Sequence, residues 1–440
     1  MAVSAHNHHR TDVAIVGGGI AGLAAARRLH EAGVGATILE ARDRLGGRIW
    51  TTTLEGAPAE LGATWIHRID GNPIATLARQ AGLSLRPTDY DNATLYGPDG
   101  RELADARQTA IDDLYERTMD AVDQRRDRDA SADNRSLQDG IDEAARRLDA
   151  RERRDLAYAV TVNIEHDYAI DAAGLSLREW DQDGEFGGPD VLIPGGYRAV
   201  VDRLAAGLPV LYGRVEAIRW SGPIEIAVAL PDANRAVLVA ERAIVSVPLG
   251  VLKVGEPRFD PPLPAAHQAA IGRVGVGLLD RLVLRFPRVF WDEEYDLFGW
   301  QAAEPGLWAE WYNLTAANGQ PTLVAFNAGS VAARVATWGD DSIVASAMDV
   351  LRTIFGRGIP APTATLLTRW GADPFSRGSY SHLPPGASGA DYDALARPAS
   401  DRLFFAGEHT SRRFPGTVHG ALLSGQRAAD EVLAALGRMR

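Results

Sequence analysis

Apolar and polar residues at the start of the chain predict a strand, a helix and a second strand. Asp12 to Val16 is a short apolar run typical of a buried strand, and three glycines follow it. Leu23 to Glu31 is rich in alanine and arginine, which predicts a helix that ends at Gly33. Ala36 to Leu39 is a second apolar strand and closes on Glu40. This order predicts a strand–helix–strand unit of about 30 residues.

The hydrophobic pattern changes again further along the chain. Residues 100–160 are rich in Asp, Arg and Ala, with Leu114, Met119 and Val122 at helical spacing, which predicts amphipathic surface helices. Ala421 to Leu436 predicts a final helix. The runs between them predict two groups of strands: Ile224 to Leu230, Val237 to Val239 and Ile244 to Val247, then Arg281 to Phe286, Gly306 to Asn313 and Thr322 to Asn327. The chain is therefore expected to leave a nucleotide-binding domain and return to it twice.

The glycines after the first strand have the spacing of a dinucleotide-binding turn, Gly17-x-Gly19-x-x-Gly22. Gly17 permits a tight turn, Gly19 lets the backbone approach a pyrophosphate, and Gly22 lets helix and strand pack closely. The N-terminus of the helix offers free N–H groups and partial positive charge to the phosphates. Glu40 lies 18 residues after Gly22, where a carboxylate accepts hydrogen bonds from ribose hydroxyls. A glycine turn without a ligand does not explain this combination.

Composition excludes several other classes of function. Of the 440 residues, 46% are apolar and 24% are charged, which favours a soluble protein of two domains. The formal charge of −12 argues against nucleic acid as a partner and mildly favours a cationic substrate. The sequence has no cysteine, which excludes disulfides, iron–sulfur clusters and a thioether-linked cofactor.

No membrane partner is expected either, because no run approaches the roughly 18 apolar residues of a membrane helix. Residues 1–9 are interpreted as a disordered tail, and their histidines, His6, His8 and His9, as part of it rather than as a metal site. The N-terminus has no apolar core of the secretory kind, so a cytoplasmic location is expected.

Two further strings extend the nucleotide site. After the second strand come Arg42, a glycine pair ending at Gly47, and Arg48, which bring a second cation and bare backbone to the same pyrophosphate. A charged surface loop explains the arginines but not the glycine pair. Near the end of the chain a predicted strand runs into Gly407 and Glu408, for which a strand-end turn with a solvated acid is the alternative.

With these strings the chain resembles the flavin-containing amine oxidase family, particularly polyamine oxidases and the oxidase domain of lysine-specific histone demethylases. The resemblance spans most of the chain and implies FAD, bound non-covalently, as the cofactor. The stalk that the demethylases insert to bind a partner is absent from the sequence, so a free-standing enzyme for a small-molecule amine is expected. Besides residues 40–48, the matching strings are 60–67 (ELGATWIH), 163–168 (NIEHDY), 192–197 (LIPGGY), 369–380 (RWGADPFSRGSY), 403–410 (LFFAGEHT) and 417–425 (TVHGALLSG).

The resemblance implies an α/β fold of two parts. One is a Rossmann-like FAD-binding domain built from discontinuous segments, expected at residues 10–85, 195–280 and 395–440. The other is an α+β substrate-binding domain with a mixed sheet and helices, expected at residues 86–194 and 281–394.

The resemblance also implies roles for individual residues. Around the substrate it points to Trp65, His67, Glu165, Asp167 and Tyr380. Thr417 stands where monoamine oxidases carry a caging tyrosine, which favours an extended or bulky amine. Core roles for the aromatic residues and for His67, and surface ion pairs for the two acids, stay open. Cofactor contacts are implied for Gly17, Gly19, Gly22, Glu40, Arg42, Gly47, Arg48, Gly62, Ala63, Thr64, Val215, Trp370, Phe375, Gly407, Glu408, Thr417 and Val418, and catalytic roles for Arg281, Tyr380, His67 and Thr417.

One position departs from the family pattern. In the string 275–284 (GVGLLDRLVL), Arg281 aligns with the lysine that holds a water near flavin N5 in the family. Lys253 is the only lysine of the chain and lies outside this string. Arginine stays protonated and cannot serve as a neutral relay. Arg281 anchors a water, pairs with Asp280 or a substrate carboxylate, or forms a structural ion pair; the sequence does not decide among these.

The expected function is FAD-dependent oxidation of an amine, with a polyamine favoured. A hydride passes from the carbon beside the nitrogen to flavin N5, the imine is hydrolysed, and O2 reoxidises the flavin to give H2O2. Two alternatives remain: a flavin dehydrogenase or desaturase for a non-amine substrate, and a flavin-binding protein with little turnover. No oligomeric state is predicted.

Overall fold

The structure is a computed structural model that describes residues 8–129, 131–302 and 304–438. The strands are β1 (His8–Val16), β2 (Ala36–Glu40), β3 (Thr51–Leu54), β4 (Ala57–Glu60), β5 (Trp65–Ile66), β6 (Arg86–Pro87), β7 (Ala93–Tyr96), β8 (Val191–Leu192), β9 (Val210–Tyr212), β10 (Arg214–Arg219), β11 (Ile224–Ala229), β12 (Arg235–Val245), β13 (Arg258–Asp260), β14 (Gly275–Val276), β15 (Leu279–Arg285), β16 (Leu297–Trp300), β17 (Glu310–Asn313), β18 (Thr322–Ala328), β19 (Ala364–Leu367), β20 (Ser381–His382) and β21 (Leu403–Phe405). The helices are α1 (Ile20–Glu31), α2 (Pro73–Gln80), α3 (Asp105–Arg126), α4 (Leu137–Ala144), α5 (Ala150–Val160), α6 (His166–Tyr168), α7 (Arg198–Ala205), α8 (Leu249–Lys253), α9 (Ala265–Arg273), α10 (Thr315–Asn318), α11 (Gly329–Val335), α12 (Asp340–Phe355), α13 (Gly389–Ala396) and α14 (Val418–Ala435).

The larger sheet gathers strands from three separate parts of the chain. Its order is β13–β10–β11–β12–β1–β2–β9, and β21 also pairs with β12. β1, β2, β9, β12 and β21 run parallel. α1 and α14 pack on one face and bury Val13, Ile15 and Ile244 with them. The carboxyl ends of four of these parallel strands, β1, β2, β12 and β21, therefore open beside the N-terminus of α1.

Two strands of this sheet differ from the sequence-based prediction. β1 begins at His8 rather than Asp12, because residues 8–11 pair in parallel with residues 237–240 of β12. The predicted disordered tail is therefore wrong for residues 8–9, and residues 1–7, including His6, lie outside the described residues. β12 is one continuous strand, where two short strands were predicted. Its pairing with β1 continues past the polar Glu241 and Arg242, which separate the two apolar runs in the sequence.

The smaller sheet has the order β19–β15–β18–β17–β16–β7 and is antiparallel except for the β16–β7 pair. α12 contributes buried Ile343, Met348 and Leu351 to the core on one face. β17 begins at Glu310, not at Gly306 as predicted, because Trp308 has a φ of +51° and interrupts the extended backbone.

The predicted amphipathic helices of residues 100–160 are α3, α4 and α5. Leu114, Met119 and Val122 of α3 are buried in a cluster with Leu137 and Leu156, as their spacing predicted. The boundaries of the two predicted domains stay a prediction.

The described ranges contain no candidate membrane span and no candidate metal site. No helix in them combines the length and the apolar character that a membrane crossing requires. In the same ranges no three His, Asp or Glu side chains are grouped so that they could bind a metal ion.

Candidate active site

The strand ends of the larger sheet open into a cavity of about 1410 Å³. Ligands of open parallel sheets bind outside the carboxyl ends of the strands, and Gly17, Glu40, Ser246 and Gly407 line the cavity at those ends. The cavity continues to the inner face of the smaller sheet. Among the predicted site residues, only Gly22 and Glu165 do not line it.

The glycine turn leaves an anion site at the N-terminus of α1. Gly17 has a φ of +109°, and a Cβ on Gly22 would lie 2.0 Å from the carbonyl oxygen of Gly17, so the helix is packed directly on the turn. Gly19 is the N-cap of α1; no side chain caps the helix and no acid lies in its first turn. A Cβ on Gly19 would have no atom of the described residues within 4 Å. The free N–H groups and the open space fit a pyrophosphate.

Glu40 is buried beside this turn. Its carboxylate accepts hydrogen bonds from the backbone N–H of Gly18 at 2.7 Å and of Arg42 at 2.8 Å. Burial raises the pKa of Glu40, against the effect of these hydrogen bonds. The two oxygens retain further acceptor sites, which fits the expected contact with ribose hydroxyls.

The two arginines expected at the pyrophosphate already have protein partners. Arg42 pairs with Asp373 at 2.7 Å and lies over the ring of Phe375, 5.2 Å from its centroid. Arg48 donates to the carboxylate of Glu408 at 3.0 Å and to the carbonyl oxygen of Ser379 at 2.6 Å. Both guanidinium groups are thereby fixed at the wall of the cavity.

Glu408 is held in its ionised form at the end of β21. Its carboxylate accepts from the Ser381 hydroxyl at 2.5 Å and from the Gly416 N–H at 2.8 Å, in addition to Arg48. Burial acts to raise the pKa of Glu408, but Arg48 and these hydrogen bonds keep it below its usual value. Glu408 is therefore buried and connects three segments of the cavity wall. The alternative interpretation, a strand-end turn with a solvated acid, does not hold.

Arg281 points into the cavity from β15. Its Nη1 atom donates to the carbonyl oxygen of Glu60 at 2.8 Å and to the hydroxyl of Thr64 at 2.6 Å. The guanidinium carbon lies 5.1 Å from the ring centroid of Phe326. Burial lowers the pKa of Arg281 to about 10, so the group remains cationic at neutral pH. No hydrogen bond to the described residues involves its Nε or Nη2 atom.

The predicted alternative of a pair between Arg281 and Asp280 is wrong. Successive side chains of a strand point to opposite faces, and Asp280 faces away from the cavity. There it accepts from the Thr368 hydroxyl at 2.9 Å and the Trp370 N–H at 2.8 Å. Arg281 thus carries its positive charge into the cavity without an acidic side chain bound to it.

Aromatic side chains form the wall beside Arg281. Phe326 packs against Trp65 and Tyr312, with centroid distances of 6.2 and 5.5 Å. Tyr380 lines the same space, and its hydroxyl donates to the carbonyl oxygen of His166 at 2.9 Å. Trp370 packs edge-on against Trp50 at 6.2 Å. All of these rings except that of Trp50 line the cavity.

Thr417 caps the helix α14 at the cavity. Its hydroxyl accepts from the Gly420 N–H at 3.0 Å and donates to the carbonyl oxygen of Phe414 at 2.9 Å. The hydroxyl proton of Thr417 is therefore engaged in the helix cap. It is not free to be donated to a substrate, as the predicted catalytic role would require. Thr417 and Val418 place the N-terminus of this 18-residue helix, with its partial positive charge, at the cavity wall.

His67 belongs to a cluster that the sequence did not reveal. Its Nδ1 atom lies 2.6 Å from the carboxylate of Asp190, which also accepts from the Arg68 N–H at 2.9 Å and the Tyr90 hydroxyl at 3.1 Å. Desolvation by the neighbouring protein acts to lower the pKa of His67, but the hydrogen bond and the charge of Asp190 raise it above its ordinary value. The side chain is 55% exposed, so His67 is not the core histidine of the alternative. Asp190 follows a glycine pair and a proline, and only its position in space marks it.

Asp167 faces the cavity, whereas Glu165 does not. Glu165 is the last residue of a π-helix, Thr161–Glu165, and Asp167 lies on α6, which follows it directly. Glu165 accepts from the Thr161 hydroxyl and the Ala172 N–H, at 2.9 and 3.2 Å, and lies outside the cavity, so the predicted contact between Glu165 and substrate is wrong. The Asp167 carboxylate has no hydrogen bond to any described residue. Its side chain is exposed at the cavity, where the surrounding protein limits its solvation and so raises its pKa to about 6.

Glu310 is a second acid that sequence reasoning missed. It is buried on β17 and lines the cavity. Its carboxylate accepts from the Tyr312 hydroxyl at 2.9 Å and lies 3.4 Å from the Nδ1 atom of His166. A lone acid between aromatic residues in the run from Trp308 to Tyr312 was the available signal.

Comparisons with known proteins identify the family. The family described as flavin containing amine oxidoreductase matches residues 20–433. Lysine-specific histone demethylase 1 homolog 1 of Arabidopsis thaliana is 39% identical over 96% of this chain and 52% of its own length. Polyamine oxidase 2 of the same plant is 36% identical over 95% of this chain and 87% of its own length. The chain thus spans about half the length of the demethylase homologue it matches.

A solved structure has the same fold. Putrescine oxidase bound to putrescine superposes with a TM-score of 0.78 at 23% identity, covering 97% of this chain and 100% of that one. The chain belongs to the flavin containing amine oxidoreductase family. The expected α/β fold, FAD as the cofactor and the class of amine oxidoreductase are confirmed.

Proposed function

We propose that the protein oxidises a polyamine with FAD and O2. When bound, FAD accepts a hydride from the carbon beside the amine nitrogen and passes the electrons to O2, so that amine, O2 and water yield a carbonyl compound, a released amine and H2O2. The Asp167 carboxylate carries the proposal, because it faces the cavity without a partner. A carboxylate in this position stabilises an ammonium group, and a polyamine has one at a distance from its reacting nitrogen.

The charges in the cavity favour one orientation of such a substrate. Arg281 keeps a positive charge beside Thr64 and Phe326. A cation there, together with apolar rings, disfavours an ammonium and so keeps the reacting nitrogen neutral, as hydride loss requires. The far nitrogens stay protonated at the acidic end, where Asp167 lies.

The residues that would hold FAD follow from the cavity wall. The backbone of Gly17 and Gly19 and the N-terminus of α1 would bind the pyrophosphate. Glu40 would accept hydrogen bonds from the ribose. The N-terminus of α14, at Thr417 and Val418, would offer its partial positive charge to a reduced flavin. Arg42, Arg48 and Glu408 keep these segments in place.

An amine panel tests the proposal. The FAD-loaded protein is mixed with spermine, spermidine, putrescine and n-hexylamine, and H2O2 release is measured together with anaerobic loss of the flavin's visible absorption. We expect turnover of polyamines, and about tenfold or greater loss of kcat/KM in Asp167→Asn. The matched control is Asp401→Asn, at an exposed position outside the cavity. Flavin reduction without H2O2 would identify a dehydrogenase, and no reduction by any amine would refute the proposal.

A methylated lysine in a basic peptide is a second candidate substrate. The segment from Glu179 to Asp190 adds Asp183 and Glu185 to the lining of the same cavity, which suits a chain of several cations. Several relatives are histone demethylase homologues. Release of formaldehyde from an N-methyl-lysine peptide, with no turnover of spermidine, would favour this candidate.

A further inference from the structure

The guanidinium group of Arg281 is only partly used by the protein. Its Nη1 atom directs its two N–H groups to the Glu60 carbonyl oxygen and the Thr64 hydroxyl. The Nε and Nη2 atoms have no hydrogen bond to the described residues. Arg281 is half-buried and lines the cavity, and neither atom is among the buried polar atoms without a partner, so both are open to the cavity.

No acid of the described residues lies at ion-pair distance from this group. Among the charged groups around Arg281, Glu60 has the strongest effect on its pKa. The Glu60 carboxylate, however, accepts from the Tyr197 N–H at 2.7 Å and the Thr51 hydroxyl at 2.8 Å, and burial raises its pKa. Since Arg281 stays cationic at neutral pH, the cavity contains a positive charge that the protein leaves without a partner.

The open atoms form one edge of the guanidinium group. Nε and Nη2 direct parallel N–H groups to the same side, a fork that matches the two oxygens of a carboxylate. The hydrogen bonds of Nη1 and the ring of Phe326, 5.1 Å from the guanidinium carbon, fix the direction of the fork before a ligand binds. A preorganised donor pair loses little entropy when an anion binds to it.

A negative charge faces the same space. Burial has the largest effect on the pKa of Tyr380; of the charges, Asp167 raises that pKa and Arg281 lowers it, so both groups lie near this one ring. Phe326 is also shared, because its ring centroid lies 6.4 Å from that of His166, which precedes Asp167. The two charges do not pair with each other. A ligand with a carboxylate at one end and an ammonium at the other would bind to both.

We propose that Arg281 binds a carboxylate of the substrate, attached to the carbon that loses the hydride. This inference rests on the proposed amine oxidation, which places the reacting nitrogen at the Arg281 end of the cavity, and it extends the substrates to basic amino acids. The far ammonium of such a substrate faces Asp167. The amino acid, O2 and water yield a 2-oxo acid, ammonia and H2O2.

Ornithine and putrescine test the carboxylate directly, because ornithine is putrescine with a carboxylate on the carbon beside one nitrogen. The FAD-loaded protein is reduced with dithionite, so that either amine binds without being oxidised, and binding is measured by isothermal titration calorimetry. Arg281→Met removes the fork and the charge. The matched control is Arg352→Met, at an exposed position of α12 outside the cavity.

We expect ornithine to bind the unchanged protein about tenfold or more tightly than putrescine does. Arg281→Met should bind ornithine about ten- to hundredfold more weakly and putrescine no more weakly, whereas Arg352→Met should leave both affinities unchanged. Arg281→Lys keeps the charge without the fork, so its loss for ornithine should be smaller; it replaces Arg281→Met if that variant does not retain FAD.

Three binding results would overturn the inference. Ornithine gains nothing over putrescine, or its advantage survives in Arg281→Met, or acetate binds at Arg281 while ornithine gains nothing, which would make the ligand a separate anion.

Release of H2O2 from ornithine and from spermidine is measured apart from binding. Ornithine that binds as expected and is not oxidised, while spermidine is, would place the carboxylate away from the reacting carbon and overturn the inference. The expected binding with no oxidation of either amine would refute the proposed function and leave the contact between Arg281 and the carboxylate standing.

Discussion

Gly19→Ala separates FAD binding from the stability of the protein. Gly19 has φ −75° and ψ 178°, a conformation that alanine adopts freely. The added Cβ has no described atom within 4 Å. The free energy of unfolding of the FAD-free protein should therefore change by less than about 0.5 kcal/mol, which urea denaturation measures.

The same Cβ enters the space that the pyrophosphate is expected to fill. Overpacking of this kind costs about 1–3 kcal/mol, so FAD should bind about five- to 150-fold more weakly. Titration of the FAD-free protein with FAD, followed by flavin fluorescence, measures this loss. Gly272→Ala is the control. A Cβ added at Gly272 also meets no neighbouring atom within 4 Å, and Gly272 lies on α9, outside the cavity. If Gly19→Ala and Gly272→Ala bind FAD equally well, the assignment of the pyrophosphate to this turn is refuted.

Three further expectations concern charged groups of the cavity. Arg281→Met removes the donor to Thr64 and should lower the free energy of unfolding, measured by urea denaturation, by about 1–3 kcal/mol. The same variant removes a cation that repels a protonated amine, so the pKa of the bound reacting amine should rise. The pH profile of kcat should therefore move to higher pH. Asp167 has a pKa of about 6, and its charge is lost as the pH falls through that value. Below about pH 6, kcat/KM for spermidine should therefore fall about tenfold per unit, and this limb should be absent in Asp167→Asn. In Asp190→Asn the pKa of His67, measured by NMR of labelled histidine, should fall, because Asp190 contributes most to raising it; an unchanged value would contradict the pairing.

The sequence predicted the nucleotide end of the cavity because that end is local. The strand, the glycine turn, α1 and Glu40 follow each other along the chain, and each has its own physical signature. The predicted division of β12 into two strands was wrong. The polar Glu241 and Arg242 interrupt the apolar pattern of the sequence, but the backbone hydrogen bonds to β1 do not depend on that pattern.

The substrate end was harder to predict because it depends on contacts between distant segments. Glu165 and Asp167 are two residues apart, about 200° around a helix, so the sequence alone could not tell which one faces the cavity. Asp190 acquires its role only through His67 and Tyr90, which are distant in the sequence. Glu310 is approached by His166 of α6 as well as by Tyr312 of its own strand.

Anaerobic mixing of spermidine with the FAD-loaded protein tests the central claim most directly. If the cavity holds FAD at the strand ends and a polyamine along its acidic end, the visible absorption of the flavin is lost on mixing and returns with H2O2 when O2 is admitted. A flavin that stays oxidised with every polyamine offered would contradict the claim.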